Sequence, residues 1–455
     1  MPRSPQAPPR WRSPNFAVLI AWACATAVAV VFSALVAPHI YHVRGWWIFG
    51  DLSTMLRLSA VAASGGLAHI YGVALPAPLV AFPGFEEILA VVLKVLHPFG
   101  LVFSVGSVLV RGQFVSLGKT SLADHLIIVV AFALGTSAII PADALARDLG
   151  AKGAIRGAFL VITGLTLVWA VALWGHPDDA LAVGLLAAAL RSAIHGRWRA
   201  SAWLLGGAFA VQPMVILGAF IVLGTTALPA TRWSRFICRV AIIPVLALAV
   251  PLIGSPRTTL HHVVEQPVQW GSAVATNHVT PWHVLALHQV TKVFPSGLVF
   301  HEGSGGDVRL LAVVLAVALG VWVARRDRSV RLESAVWALG LAFTGRILFE
   351  AVVVPYYLLA PVLFAMVAIA LRHQRWLPAG GALSVVVVWA ASSHGLGEWG
   401  YLATVGGGLL VLCAMGWPGP VHSQPQPETG QGEGSLGSES SARLTCAKRL
   451  EPMSS

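Results

Sequence analysis

The sequence predicts an all-α, polytopic integral membrane protein with about eleven to thirteen transmembrane helices. Two observations carry that reading. Of 455 residues, 56% are hydrophobic and only 11% charged, with a mean hydropathy of +0.76; a soluble globule of this length carries about 25% charged residues. The Lys and Arg residues also fall in short clusters between long apolar runs. The formal net charge of +11 therefore marks cytoplasmic loops, as the positive-inside rule requires, and not a nucleic-acid surface. Cys24, Cys238, Cys413 and Cys446 show neither paired nor metal-ligand spacing, so neither a disulfide framework nor a zinc site is indicated.

Residues 1–15 hold Arg3, Arg10 and Arg12 among prolines and read as a disordered cytoplasmic arm. The uncharged run from Phe16 to Ala37 is long enough to cross a ~30 Å hydrocarbon core, and longer than the apolar part of a signal peptide, so it is expected to be retained. Past its exit stand the interfacial anchors Trp46 and Trp47, then a lone carboxylate, Asp51. Residues 84–110 are apolar but carry Glu86, Glu87, Lys94 and His97. Charges near the bilayer centre cost several kcal/mol unless paired, so an interfacial helix and a re-entrant piece with no net crossing are expected here. That leaves Arg111 and Lys119 on the outside, against the charge rule.

Spans follow at about 124–145, 155–174 and 179–196, separated by Arg147, Lys152 and Arg156 and closed by Arg191, Arg197 and Arg199. With those clusters cytoplasmic, the turn Gly175-His-Pro-Asp-Asp179 lies outside with Asp51. Gln212-Pro213 interrupts residues 200–223, and proline breaks the helical hydrogen-bond ladder; two half-helices and one kinked span fit equally well. Arg232, Arg235 and Arg239 precede a span at about 236–254. A polar outer loop, 255–307, then concentrates His261, His262, His278, His283, His288 and His301. Further spans at about 308–324, 333–350, 355–371, 376–393 and 398–416 complete a membrane domain of residues 16–416. The tail, 417–455, is rich in Pro, Gly, Ser, Gln and Glu and reads as disordered and cytoplasmic. No internal or inverted repeat is visible, which weighs against a secondary transporter.

Four polar features fall on the predicted outer face: Asp51, the His176 to Asp179 turn, the loop around His278, and Arg346 with Pro355-Tyr-Tyr357. A carboxylate suits a base that takes a proton from an attacking hydroxyl. Arg and His suit a phosphate leaving group, whose developing charge their N–H donors stabilise. Each feature has a plainer reading. Asp51 fits a helix cap, Pro177 with Asp178 and Asp179 fits a first helical turn, His278 fits a polar rim, and Glu350, one turn from Arg346, fits an ion-pair partner.

The order Gly50-Asp51 after the first span, then Ala81-Phe-Pro83, then Gly175-His-Pro-Asp-Asp-Ala-Leu-Ala182, then Leu205-Gly-Gly-Ala-Phe-Ala-Val-Gln-Pro213, resembles the GT-C membrane glycosyltransferases. It is nearest to the actinobacterial mannosyl- and arabinosyltransferases that use polyprenyl-phosphate sugars. The motifs cover about residues 16–260. Gln212-Pro213 replaces a frequent Lys-Pro of the family, and Pro83-Gly84 a frequent Pro-Pro. The resemblance implies a multi-pass plasma-membrane enzyme with an extracytoplasmic site, moving mannose or arabinose from a polyprenyl-phosphate donor to a lipid or glycan acceptor. By position Asp51 is the general base, and His176, Asp178 and Asp179 position acceptor or base. His278 and Arg346 hold the donor phosphate. No nucleotide-binding motif is present and no cofactor is expected; a divalent metal is neither required nor indicated, since the Asp residues are scattered and show no ligand constellation. The rival readings are a transporter or flippase for a lipid-linked substrate, whose ionisable residues would spread through the bilayer midplane, and a non-catalytic scaffold.

Overall fold

In a computed structural model of the chain, the described residues are 15–40, 46–73, 82–99, 108–111, 114–117, 122–226, 228–265, 286–288, 298–300, 304–349, 354–392, 396 and 400–419. One compact unit, residues 1–418, contains every element below; of the second, 419–455, only Gly419 is described. The expected arm and tail thus lie almost wholly outside the described residues.

The architecture is helical and polytopic. Helix α1 (Phe16–Ile40) has no Asp, Glu, Lys or Arg, and its Phe16, Ile20, Val28 and Leu35 are exposed, which suits surrounding lipid rather than water. It is tied inward to α4 (Leu122–Asp148). The Trp22 indole donates to the Ala133 carbonyl at 2.9 Å, and the Thr26 and Thr136 hydroxyls pair at 2.8 Å. Between these helices β1 (Trp47–Phe49) leads directly into α2 (Gly50–Ala63), which packs on α3 (Gly84–Leu96). At 13 residues, about 20 Å, α3 is too short to cross a bilayer, in line with the expected interfacial helix.

The stretch after α3 departs from expectation. Where a re-entrant piece was anticipated, β2 (Val108–Arg111) and β3 (Phe114–Leu117) form an antiparallel pair, and β3 also pairs with β1, Val115 facing Ile48. Val108-Leu-Val-Arg and Phe114-Val-Ser-Leu are rich in strand formers, and pairing with β1 makes strands of them. The pairing sets β3 beside β1, which leads into the helix start that bears Asp51, at the end of the bundle here termed the site end. A second antiparallel pair, Ala286–His288 with Leu298–Phe300, lies in the long polar loop.

From α4 the chain alternates between ends through α5 (Gly153–Leu173) and α6 (Pro177–Ile194). The Gln212-Pro213 interruption then resolves into two helices, α7 (Trp198–Val211) and α8 (Pro213–Thr226), split where Gln212 is extended (φ −148°, ψ 108°). They run in opposite directions. Ala210 of α7 meets Gly84 at the site end. Gly224 of α8 meets Gly320 so closely that a Cβ there would lie 2.2 Å from the Gly320 carbonyl oxygen, near the basic residues that follow. Helices α9 (Ala230–Gly254), α10 (Ser304–Ala324), α11 (Arg328–Phe349), α12 (Pro355–Arg372), α13 (Leu377–Ser392) and α14 (Leu402–Met415) complete the bundle. Helices α11 and α12 form its centre: α12 is buried from Leu359 to Ala370, and Trp337 of α11 donates to the Cys413 carbonyl of α14 at 2.8 Å.

Among the described residues six helices are long and apolar enough to cross a membrane: α1, α4, α5, α9, most of α11 and α12. This is fewer than the eleven to thirteen expected. Pro213 halves one apolar run, and α6 carries Asp178, Asp179 and Arg191. At the other end, the basic end, clusters read as topology markers are also neutralised by acids. Buried Asp143 takes two hydrogen bonds from Arg156 at 2.5 and 2.9 Å and lies 3.1 Å from Arg147, while Asp148 binds Arg191 at 2.5 Å and His195 at 2.6 Å.

Candidate functional site

The site is assembled from three connections at one end of the bundle. The first is the start of α2, whose opening turn holds Asp51. The second is the turn between α5 and α6, where Gly175 takes a positive φ of 67° that glycine alone adopts without strain. Pro177 sits at the first helical position, where a missing N–H costs nothing, and Asp178 and Asp179 occupy the first turn, favoured by the helix dipole. The His176 side chain makes no capping bond; it is used elsewhere. Helix α4 presses on this turn at Gly135, where a Cβ would come within 2.9 Å of the Pro177 Cα. The third connection is the Val354 to Leu358 entry into α12, which places Tyr356 and Tyr357 beside the end of α11.

Side chains from the three meet in an unbroken line. His176 Nε2 lies 2.9 Å from Asp51 Oδ2, and His176 Nδ1 faces Asp179 Oδ2 at 3.1 Å and Asp178 Oδ1 at 3.5 Å. The Tyr356 ring stacks on the imidazole, centroids 3.3 Å apart and planes 18° apart. Tyr357 contacts Tyr356 edge-on and carries the Arg346 guanidinium 3.7 Å above its ring. The Asp51 side chain remains 40% exposed, whereas His176, Asp178, Asp179 and Arg346 are buried. Asp179, Arg346, Gln212, Tyr356 and Tyr357 line one small cleft together with Phe343 and Val215.

Burial alone would lower the His176 pKa, but the carboxylates of Asp178, Asp179 and Asp51 outweigh it and hold the imidazole well above its ordinary value. In α3, burial pushes the Glu86 carboxyl up to about 8, and the charges of Asp178 and Glu87 add to the effect. Burial also raises Glu87 to about 7. Glu86 is therefore mostly a neutral acid at pH 7, close enough to Asp178 to sense its charge.

The structure brings together five residues singled out from the sequence: Asp51, His176, Asp178, Asp179 and Arg346. His278 and Glu350 lie outside the described residues. Tyr356 and Tyr357 were seen as neighbours of Arg346, but the stacking of Tyr356 on His176 was not foreseen, since nothing local links residues so far apart in sequence. Gln212, read from the sequence as part of a helix break and a departure from Lys-Pro, lines the cleft. Glu86 was read as an interfacial charge, and its burial comes from the packing of α3 on α2, a tertiary contact. No family model and no curated protein sequence matches the chain, so function has to be argued from the side chains themselves.

Proposed function

We propose that this chain is a membrane glycosyltransferase that moves a sugar, mannose or arabinose, from a polyprenyl-phosphate donor to a cell-envelope lipid or glycan on the extracytoplasmic face. The observation that carries the reading is the pairing of an accessible Asp51 with buried His176 at the edge of a cleft that holds Arg346. An acceptor hydroxyl attacks the anomeric carbon while Asp51 takes its proton; the bond from that carbon to the phosphate oxygen breaks, and the polyprenyl phosphate leaves with the electron pair. His176 orients Asp51 through the Nε2 contact, and Arg346, fixed on the Tyr357 ring, offers N–H donors to the leaving phosphate. Such a donor brings its leaving group already anchored in the bilayer, so no nucleotide fold is needed.

The buried ionisable side chains among the described residues favour this over a transport pathway. Glu86, Asp124, His176, Asp178, Asp179 and Arg346 gather at the site end, and Asp143 and Arg191 at the basic end, leaving the middle of the bundle without buried charged side chains. Purified protein in lipid nanodiscs, incubated with polyprenyl-phosphate [14C]mannose or [14C]arabinose and an envelope lipid extract, should form a labelled product. Failure with both donors, together with translocation of a lipid-linked sugar across proteoliposomes, would replace the enzyme reading with the transporter.

A further inference from the structure

The Asp51 to His176 contact accounts for one ring nitrogen of His176 and leaves the other in an unusual setting. His176 Nδ1, Asp178 Oδ1 and Asp179 Oδ2 are all shut off from solvent, yet none has a hydrogen-bond partner. Their residues are only 6%, 5% and 7% exposed. Buried polar atoms are almost always satisfied, and here three that are not point at one another. Among the described residues neither Asp178 nor Asp179 forms an ion pair with Lys or Arg, although Asp51 adds a further carboxylate on the far side of the ring.

The spacing is that of a coordination shell. Ligand atoms about 2.0 to 2.2 Å from a metal lie about 2.8 to 3.6 Å from each other, from octahedral to tetrahedral geometry, and Nδ1 stands 3.1 Å from Asp179 Oδ2 and 3.5 Å from Asp178 Oδ1. One donor atom from each of the three residues can be chosen with all lying within 4.8 Å of one another. The far side of the imidazole fits too. A metal-bound histidine usually donates its other N–H to a carboxylate, which fixes the tautomer and orients the ring, and Nε2 faces Asp51 at 2.9 Å.

We propose that His176 Nδ1, Asp178 Oδ1 and Asp179 Oδ2 bind one divalent transition-metal ion, Mn²⁺ or Zn²⁺. An imidazole with two carboxylates suits these ions, whereas Mg²⁺ and Ca²⁺ prefer oxygen alone. Asp179 also lines the cleft, which gives the ion a way in. The ion takes the place of a proton on Nδ1 and offsets the charge of two carboxylates that, among the described residues, no Lys or Arg pairs. Asp51 stays off the metal and is held through His176. The proposal concerns binding and stands whether or not the chain transfers sugar.

The test uses the full chain, purified without a polyhistidine tag, stripped with EDTA and titrated with MnCl₂ or ZnCl₂ by calorimetry. One ion per chain should bind. The Mn²⁺ sample should show nitrogen coupling from one imidazole by pulsed electron paramagnetic resonance, and His176→Gln should abolish it. The double change Asp178→Asn with Asp179→Asn should weaken binding at least tenfold, whereas Asp51→Asn should keep one ion per chain. No saturable binding of either metal, or coupling that persists in His176→Gln, would overturn the proposal. Should the variants fail to fold, wild-type stoichiometry other than one, or Mn²⁺ bound without nitrogen coupling, would overturn it equally.

Discussion

His176 Nε2 and Asp51 Oδ2 stand 2.9 Å apart although 125 residues separate them in the chain. That contact joins the loop after the first span to the turn before α6, and it leaves one face of the Asp51 carboxylate open while the other is held.

Asp51→Asn should abolish sugar transfer with the fold intact. The amide keeps nearly the same shape and can still accept from His176 Nε2, and Asn serves as well as Asp near a helix start. It cannot take the acceptor's proton, and loss of a positioned general base costs about 10² to 10⁴ in rate. Single-turnover transfer at more than a few per cent of the wild-type rate would remove Asp51 from this role and make Asp178 the next residue to examine.

Arg346→Lys should raise the donor KM about tenfold with kcat lowered less, because a point charge replaces a planar fork and sits less well on the Tyr357 ring. Arg346→Gln should lower kcat as well, since the charge facing the leaving phosphate is gone. Equal KM values for wild type and both variants would make the guanidinium a packing element of α11 and α12.

Stability should fall with rising pH in a way that Glu86→Gln reduces. Folded Glu86 holds its proton up to about 8, against an ordinary 4.5. Its contribution is therefore complete below about pH 4.5 and is lost as the pH rises through 8. Melting temperatures of the detergent-solubilised protein from pH 5 to pH 9 should drop less in Glu86→Gln; a residual slope is expected from Glu87, which holds its proton to about 7. Parallel curves for the two proteins would show that Glu86 ionises freely.

At the basic end, Asp143→Asn should destabilise the protein without touching the donor KM. The Asp143 side chain is fully buried and shared by Arg156 and Arg147, and breaking a buried pair by removing one partner costs roughly 3 to 5 kcal/mol. Chemical denaturation of wild type and variant gives the difference directly. A loss under about 1 kcal/mol would mean that solvent screens this network as it screens a surface pair.

What could be read from the sequence follows from what is local. Pro177 followed by two Asp residues marks a helix start by itself, and the helix begins there. The basic clusters around Arg147 and Arg191 put the His176 turn at the same end as Asp51, and the two side chains meet. Helical spacing gave Arg346 the partner Glu350, which lies outside the described residues; the ring of Tyr357, delivered by the next helix and under the guanidinium, is a contact that spacing within one helix does not announce. The sheet was missed because short strands at 108–117 gain their identity from pairing with Trp47 to Phe49, which no periodicity announces. Gln212-Pro213 fitted two outcomes, and only the neighbours of Ala210 and Gly224 decide between them.

The break at Gln212 also sets the polarity of everything that follows it. A straight helix through this point would deliver the chain to the far side once, and each later element would then be threaded upside down relative to α1 to α6. Because α7 and α8 double back, α9 starts from the end where α7 started. Arg346 consequently arrives beside Asp179 rather than a bundle's length away. One extended residue ahead of a proline thus decides that the two halves of the protein share a single mouth.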